Sequence, residues 1–472
     1  MLSKQIAANS ALSGGSRIIG NIISLVIVGL IARTLSPAEV GDYFTIIALL
    51  YTFSFFADLG LYSLLVRDIS RPDVTGPEES RIVSTAFSLR VGALVVALAA
   101  AIVAGFLFPY SNIVRLGIVI GTLHIFFLSA SQVLMGVFQK YLKLGRVAVA
   151  ELIGRVVQLG MVWAVVQYGW MDGGLLGLIA ALIAAAGISF VLNVVGAHKL
   201  VPFRFRVDVS AWMATARTAL PLGTAVIITA LYFRLSTLLL SVYSGPEAVG
   251  IYNIGYRVLE ALIFFPAMFV GLVMPQLSNY AVADRKRFQA LFQKTLHVLL
   301  FLVVPVVIGL IMRARDIVVL LGGEQYAASA PVLQILSGAI AMIFIGALLA
   351  NAMIALNKQK LLAWVYGGGL VCNIIVNVLV IRQYSYIGAS WATFSTEALV
   401  TVLMAIVLVR QAVSVWPRLT SAFQIAAGGG VMSATLALTR DVHILVVIPI
   451  AAIAYIAGLF VTGGLRKELW RF

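Results

Sequence analysis

IVSTAFSLRVGALVVALAAAIVAGFLF (Ile82–Phe108) is a run of 27 residues with one ionisable side chain, Arg90. At about 1.5 Å of rise per residue such a helix reaches about 40 Å, enough to cross a hydrocarbon core of about 30 Å with tilt. A soluble helix keeps a polar face, and this run has none over most of its length. It predicts a membrane span. The single arginine in it is the first residue that packing alone does not explain.

The rest of the chain repeats the pattern. Apolar residues make up 62% of the 472 residues and charged residues only 11%. Soluble domains average roughly 45–50% and about 25%. A soluble domain, a disordered chain, a collagen and a coiled coil are all excluded. Apolar runs between polar breaks fall at 11–34, 39–66, 82–108, 114–139, 147–168, 174–197, 214–243, 248–275, 290–312, 330–356, 361–381, 386–410, 419–439 and 442–462. The expected fold is therefore all-α: a polytopic membrane protein with 14 transmembrane helices. The first run has no small, polar cleavage site and reads as an anchor, not a cleavable signal peptide.

Charge orients the bundle. With an even number of spans both termini share a side. Putting them in the cytoplasm places 22 of the 33 Lys and Arg residues in cytoplasmic segments and 6 outside. That asymmetry predicts cytoplasmic termini. The net charge of +15 is spread over short loops, so nucleic acid is not an expected partner. The longest loops, 199–213, 67–81 and 276–289, are too short for a soluble domain, and no catalytic cluster appears in them. Neither an enzyme nor a cofactor is expected. The one cysteine, Cys372, and the four scattered histidines give no metal-ligand spacing, so no metal is expected either.

Two segments echo each other. LSPAEVGDY (Leu35–Tyr43) and SGPEAVGIY (Ser244–Tyr252) align Pro37, Val40, Gly41 and Tyr43 with Pro246, Val249, Gly250 and Tyr252 at a shift of 209. VVQYGW (Val165–Trp170) and VIRQYSY (Val380–Tyr386) align Gln167-Tyr168 with Gln383-Tyr384 at a shift of 216. The echoes predict a duplicated six-span unit: an N-terminal lobe over 1–213, a C-terminal lobe over 214–410, and two additional spans over 411–472. Six is even, so the lobes are parallel repeats, an arrangement that places a cleft between two rocking halves.

Ionisable groups inside spans mark function by default, since each costs at least about 2.5–3.5 kcal/mol to insert. Five arginines fall inside: Arg17, Arg90, Arg155, Arg234 and Arg257. Four acids accompany them: Asp58, Glu151, Glu260 and Glu397. Glu151 with Arg155 and Arg257 with Glu260 are spaced to pair on one helix face. Arg17, Arg90 and Glu151 lie near enough to span ends to snorkel. Arg234 has no acid three or four residues away along its helix. Arg17, Arg90, Arg234 and Arg257 form the expected cationic cleft, suited to an anionic head because guanidinium grips phosphate bidentately. Asp58, Glu151, Glu260 and Glu397 would couple an ion or balance that charge. Pro221, Pro266, Pro275 and Pro305 break backbone hydrogen bonds within helices, which suits a mobile bundle.

GLIARTLSPAEVGDYF (Gly29–Phe44) followed by ADLGLYSLLVRDIS (Ala57–Ser70) resembles the opening of the oligosaccharide flippases of the polysaccharide transporter family. SGPEAVGIYNIGYRVLE (Ser244–Glu260) is similar to that family's second-lobe opening. A late block carries Asn357, Lys358, Lys360, Asn373, Asn377, Gly388, Ala389 and Glu397 in the family's order. The resemblance covers the first twelve spans and implies the multidrug/oligosaccharidyl-lipid/polysaccharide exporter superfamily. It implies a polyprenyl diphosphate-linked oligosaccharide as cargo, moved to the outer leaflet of the inner membrane for O-antigen, capsule or exopolysaccharide assembly. Membrane lipids, a polymerase and other glycan-assembly proteins would be partners. The chain departs from the family at Arg234, where relatives often carry an acid. A cation-coupled multidrug antiporter, a lipid II flippase and a membrane glycosyltransferase are the competing readings.

Overall fold

The computed structural model describes residues 2–58, 60–169, 174–417 and 419–464. Leu59, Trp170, Arg418 and the basic tail (Arg466, Lys467, Arg471) lie outside these, as do the side chains of Lys4, Arg17 and Pro221.

The described chain is helical and groups into two compact units, Met1–Gly250 and Ile251–Phe472. The first holds α1 (Leu2–Thr34), α2 (Pro37–Phe56), α3 (Leu61–Ile69), α4 (Pro77–Leu107), α5 (Asn112–Lys140), α6 (Leu144–Tyr168), α7 (Leu175–His198) and α8 (Val209–Tyr243). The second takes most of α9 (Pro246–Ala283), then α10 (Arg285–Met312), α11 (Ala314–Gly322), a 3₁₀ turn (Glu324–Ser329), α12 (Ala330–Ala355), α13 (Gln359–Arg410), α14 (Leu419–Leu438) and α15 (Ile444–Val461). Contact density divides the chain after Gly250, with α8 packed on α2, α3 and α4.

Eleven of the described helices are long and apolar enough to span a bilayer, and Ile18–Thr34 and Leu231–Tyr243 are shorter apolar stretches. One of the eleven, α13, runs for 52 residues but breaks at Ser385, where φ is 50°. The runs 361–381 and 386–410 are its two halves.

Local chemistry explains where helices start. Ser36 and Glu39 form a capping box at the head of α2: the Glu39 amide donates to Ser36 Oγ at 3.4 Å, and the Ser36 amide donates to Glu39 Oε2 at 2.9 Å. With Pro37 in the first turn, SPAE is a helix-start signal as well as a repeat marker.

The run 39–66 is not one span. The chain turns between α2 and α3 at Ala57–Gly60, and Gly60 adopts φ 74°. A Cβ there would lie 2.6 Å from the Gly223 amide nitrogen on α8. Only glycine tolerates both the left-handed backbone and that approach.

The repeat is legible in backbone conformation. Leu142 and Asn357 both have positive φ, 54° and 58°. Each ends its helix with the same bond: the Lys143 amide donates to Phe138 O and the Lys358 amide to Met353 O, both at 2.8 Å. This is the Schellman closure, recurring at a shift of 215. Gly169 and Ser385, which follow the paired Gln-Tyr dipeptides, likewise both carry positive φ, 61° and 50°.

In the second unit, α14 and α15 are tied down at two places. Arg313, only 5% exposed, donates to the Thr439 and Val442 carbonyls at 2.8 and 2.7 Å and pairs with Asp316. At the other end of α10, Gln289 and Gln293 donate to the Ser414 carbonyl at 2.9 and 2.6 Å, holding the linker into α14.

Candidate functional site

In the first unit the sequence-predicted Arg90 is enclosed by neighbouring protein. It sits 13 residues into α4, about 20 Å from the helix start. It is 2% exposed. Its Nε donates to the Ser129 carbonyl at 3.2 Å, and its Nη2 to Ser129 Oγ at 2.5 Å and Gln132 Oε1 at 3.4 Å. Its Nη1 lies 3.3 Å from Asp58 Oδ1. The turn after α2, helix α4 and helix α5 are therefore joined through one guanidinium. An enclosed cation needs such partners, since burying it alone is costly. This arrangement makes Arg90 an internal tie with little surface left for a ligand, and makes Asp58 its counter-charge. Ser129 and Gln132 carry a faint sequence signal: with Ser131 they form a short polar cluster, SASQ, within a largely apolar run.

Arg234 is half buried on α8. Its guanidinium carbon lies 5.2 Å from the centroid of the Tyr51 ring on α2. Tyr51 in turn meets the His124 ring edge-on at 6.5 Å, and His124 Nδ1 is 3.1 Å from the Leu182 carbonyl. A row from α8 through α2 and α5 to α7 thus holds the cation against a π face, a contact that strengthens away from water. Tyr110 and Ser241 add a 3.0 Å hydroxyl pair between α5's leading loop and α8. Neither Tyr51 nor Tyr110 stands out in the sequence, since aromatic residues are common in spans.

Arg17 lies on α1, its side chain outside the described set. Glu151 sits on an exposed face of α6.

In the second unit, Arg257 and Glu260 form the ion pair their spacing predicts, at 2.5 Å, with 19% and 23% of each side chain exposed. One turn earlier on α9, Tyr252 and Tyr256 stack at 5.5 Å, and Tyr252 Oη is 2.9 Å from Thr393 Oγ1 on α13. Across the Ser385 break, Asn373 Nδ2 donates to Thr396 Oγ1 at 3.0 Å, and Asn377 Nδ2 donates to Asn373 Oδ1 at 2.9 Å. Glu397, 4% exposed, follows Thr396 directly. The amide and hydroxyl ladder joins the two halves of α13, and the buried acid is the next residue along the chain from it. Asn373 and Asn377 were expected only through family resemblance, and their spacing of four places them on one helix face.

The sites fall in two units: Asp58, Arg90 and Arg234 in the first, Arg257, Glu260 and Glu397 in the second.

Residues 30–331 match the family model described as "Polysaccharide biosynthesis protein". The chain belongs to this family. A stretch of 175 residues is 23% identical to the probable low-salt glycan biosynthesis flippase Agl15 of Haloferax volcanii. That stretch spans 37% of this chain and 37% of that relative. Among solved structures, the lipid II flippase MurJ in an inward closed conformation matches with a TM-score of 0.78 at 14% identity, covering 98% of this chain and 100% of that one. An inward-facing multidrug resistance MATE transporter of the MOP superfamily matches with a TM-score of 0.64 at 10% identity, covering 84% and 96%. The chain is thus a multi-pass membrane protein of the polysaccharide biosynthesis family, with a fold like that of those two solved structures.

Proposed function

We propose that the protein flips a polyprenyl diphosphate-linked oligosaccharide from the cytoplasmic to the outer leaflet by alternating access, for O-antigen, capsule or exopolysaccharide assembly. One observation carries the reading. Arg234 places a guanidinium, half buried, within an apolar helix and over the Tyr51 ring, in a chain of the polysaccharide biosynthesis family.

A charged sugar head cannot cross hydrocarbon unaided, because its hydroxyls and diphosphate would lose water without replacement. Fixed guanidinium groups replace that water and match phosphate oxygens. The prenyl tail never leaves lipid, so no bond has to form or break.

In this reading Arg17, Arg234 and Arg257 meet the head, and Arg90 with Asp58 holds the helices that present Arg234. Glu260 and Glu397 offset cationic charge when the chamber is empty. The duplicated lobes, 1–213 and 214–410, carry the alternating access, and spans 13 and 14 are an addition, giving fourteen crossings. The protein sits in the inner membrane with both termini cytoplasmic and hands cargo to a polymerase.

The test is surface glycan output in cells expressing Arg234→Ala and Arg257→Ala, at protein levels matched to wild type. Loss of glycan supports the reading and normal output in both contradicts it. Resistance to cationic dyes would point to an antiporter, and loss of viability on depletion to lipid II as cargo.

A further inference from the structure

Outside the charged sites, the first unit contains a cavity of about 820 Å³ where α4 and α8 begin. Its floor is apolar, with Leu61, Leu64 and Ile82 among the lining residues, and its walls carry Arg81, Arg204 and Arg206. Nothing in the transport reading uses it.

The segment after α7 builds one wall. It runs extended, so successive side chains alternate. Pro202, Arg204, Arg206 and Asp208 line the cavity, every second residue. Phe205 and Val207, on the other side, are 56% and 64% exposed. The segment is strapped to α4: the Arg204 amide donates to Ser84 Oγ at 3.0 Å and the Arg206 amide to Ser88 Oγ at 2.9 Å. Two serines one helical turn apart thus fix two arginines beside the cavity. A strap with basic residues inward and bare apolar residues outward is suited to the lipid–water boundary, not to open solvent.

The acids in the lining are already engaged. Asp68 pairs with Arg67 at 2.9 Å. Asp208 caps α8, accepting from the Ala211 amide and Ser210 Oγ, both at 3.0 Å. Those bonds, with Arg206 nearby, hold its carboxyl below the usual aspartate range. Among the described residues, neither Arg204 nor Arg206 makes an ion pair.

A second, apolar groove continues along the same helix. It is lined by Phe53, Phe56, Gly92, Val96 and Trp212, with a volume of about 540 Å³. Arg81, Thr85, Leu89, Gly92, Val96 and Ala100 follow one stripe of α4 at steps of three and four, from the first cavity into the second. The stripe is about 28 Å long, longer than the roughly 20–22 Å that the head and chain of one lipid leaflet span, so it can seat one lipid along its length.

We propose that this composite surface holds one anionic phospholipid, its phosphate between Arg81, Arg204 and Arg206 and an acyl chain along the Gly92–Ala100 groove. Charge complementarity selects the head and groove continuity selects a chain-bearing ligand. The inference is independent of the glycan cargo.

The test uses the full chain purified in detergent and read by native mass spectrometry. Phosphatidylglycerol, phosphatidylcholine and inorganic phosphate are added separately. Phosphatidylglycerol should be retained at least about tenfold more tightly than phosphatidylcholine, and Arg204→Gln with Arg206→Gln should remove that preference. Gly92→Leu fills the groove and should lower retention of both lipids. A control, Arg440→Gln, should leave retention as in wild type. Should Gly92→Leu fail to fold, quenching of Trp212 by brominated-chain phosphatidylglycerol, taken as the difference from Trp212→Phe, replaces it and should exceed that by the phosphatidylcholine equivalent. Equal retention of the two lipids, retention unaffected by the arginine changes, or competition by millimolar inorganic phosphate as strong as by lipid would overturn the proposal.

Discussion

Gly41 and Gly250 each rest against the proline that opens the other's helix. A Cβ on Gly41 would lie 1.7 Å from the Pro246 carbonyl oxygen, and one on Gly250 would lie 2.0 Å from the Pro37 carbonyl oxygen. The contact is reciprocal, as a local two-fold axis between the two copies of the motif requires. The pair of motifs at a shift of 209 is thus also a pair in space, crossing backbone on backbone.

Gly41→Ala and Gly250→Ala should each destabilise the protein. The obstacle is backbone on both sides, so the helices must separate, at about 1–3 kcal/mol as in other overpacked sites. Helix propensity would favour alanine by about 1 kcal/mol, so a net loss isolates the crossing. Melting of the detergent-solubilised protein checks this, with Gly271→Ala as a control because a Cβ there meets nothing within 4 Å.

Asp58→Asn should lower stability by roughly 1–3 kcal/mol, less than the about 3–5 of a fully enclosed pair because 24% of the Asp58 side chain is exposed. Replacing both Asp58 and Arg90 with apolar residues should recover much of the loss. Chemical denaturation of both variants checks the cycle. If Asp58 instead took up the coupling proton, Asp58→Asn would abolish transport with stability intact.

Arg313→Ala should loosen the α14–α15 turn. Two backbone carbonyls lose their donors, each loss worth about 1–3 kcal/mol where water does not replace it. Faster hydrogen exchange at 439–447, with α2 and α5 unchanged, is the expected result.

Much of this architecture was written in apolar runs, since a bilayer demands about twenty consecutive apolar residues per crossing and the boundaries fall close to the described helix ends. The ion pair of Arg257 with Glu260 was equally legible, being set by helix geometry alone. What escaped depends on tertiary approach. The break after α2 follows from how closely Gly60 meets α8, and nothing within 39–66 announces a second helix there. Arg90 looked able to reach an interface, but Ser129, Gln132 and Asp58 hold it inside. The Tyr51 ring under Arg234 lies 183 residues earlier in the chain, beyond any periodicity argument.

The central claim is that buried guanidinium groups carry a diphosphate sugar across the membrane. The most direct measurement is flipping of a fluorescent polyprenyl diphosphate oligosaccharide in liposomes containing the purified protein, followed by quenching from the far side. Wild type should translocate it, and Arg234→Ala and Arg257→Ala should each slow it about tenfold or more, with Arg234→Lys intermediate. Translocation at the wild-type rate in both alanine variants, at equal protein content, would contradict the account.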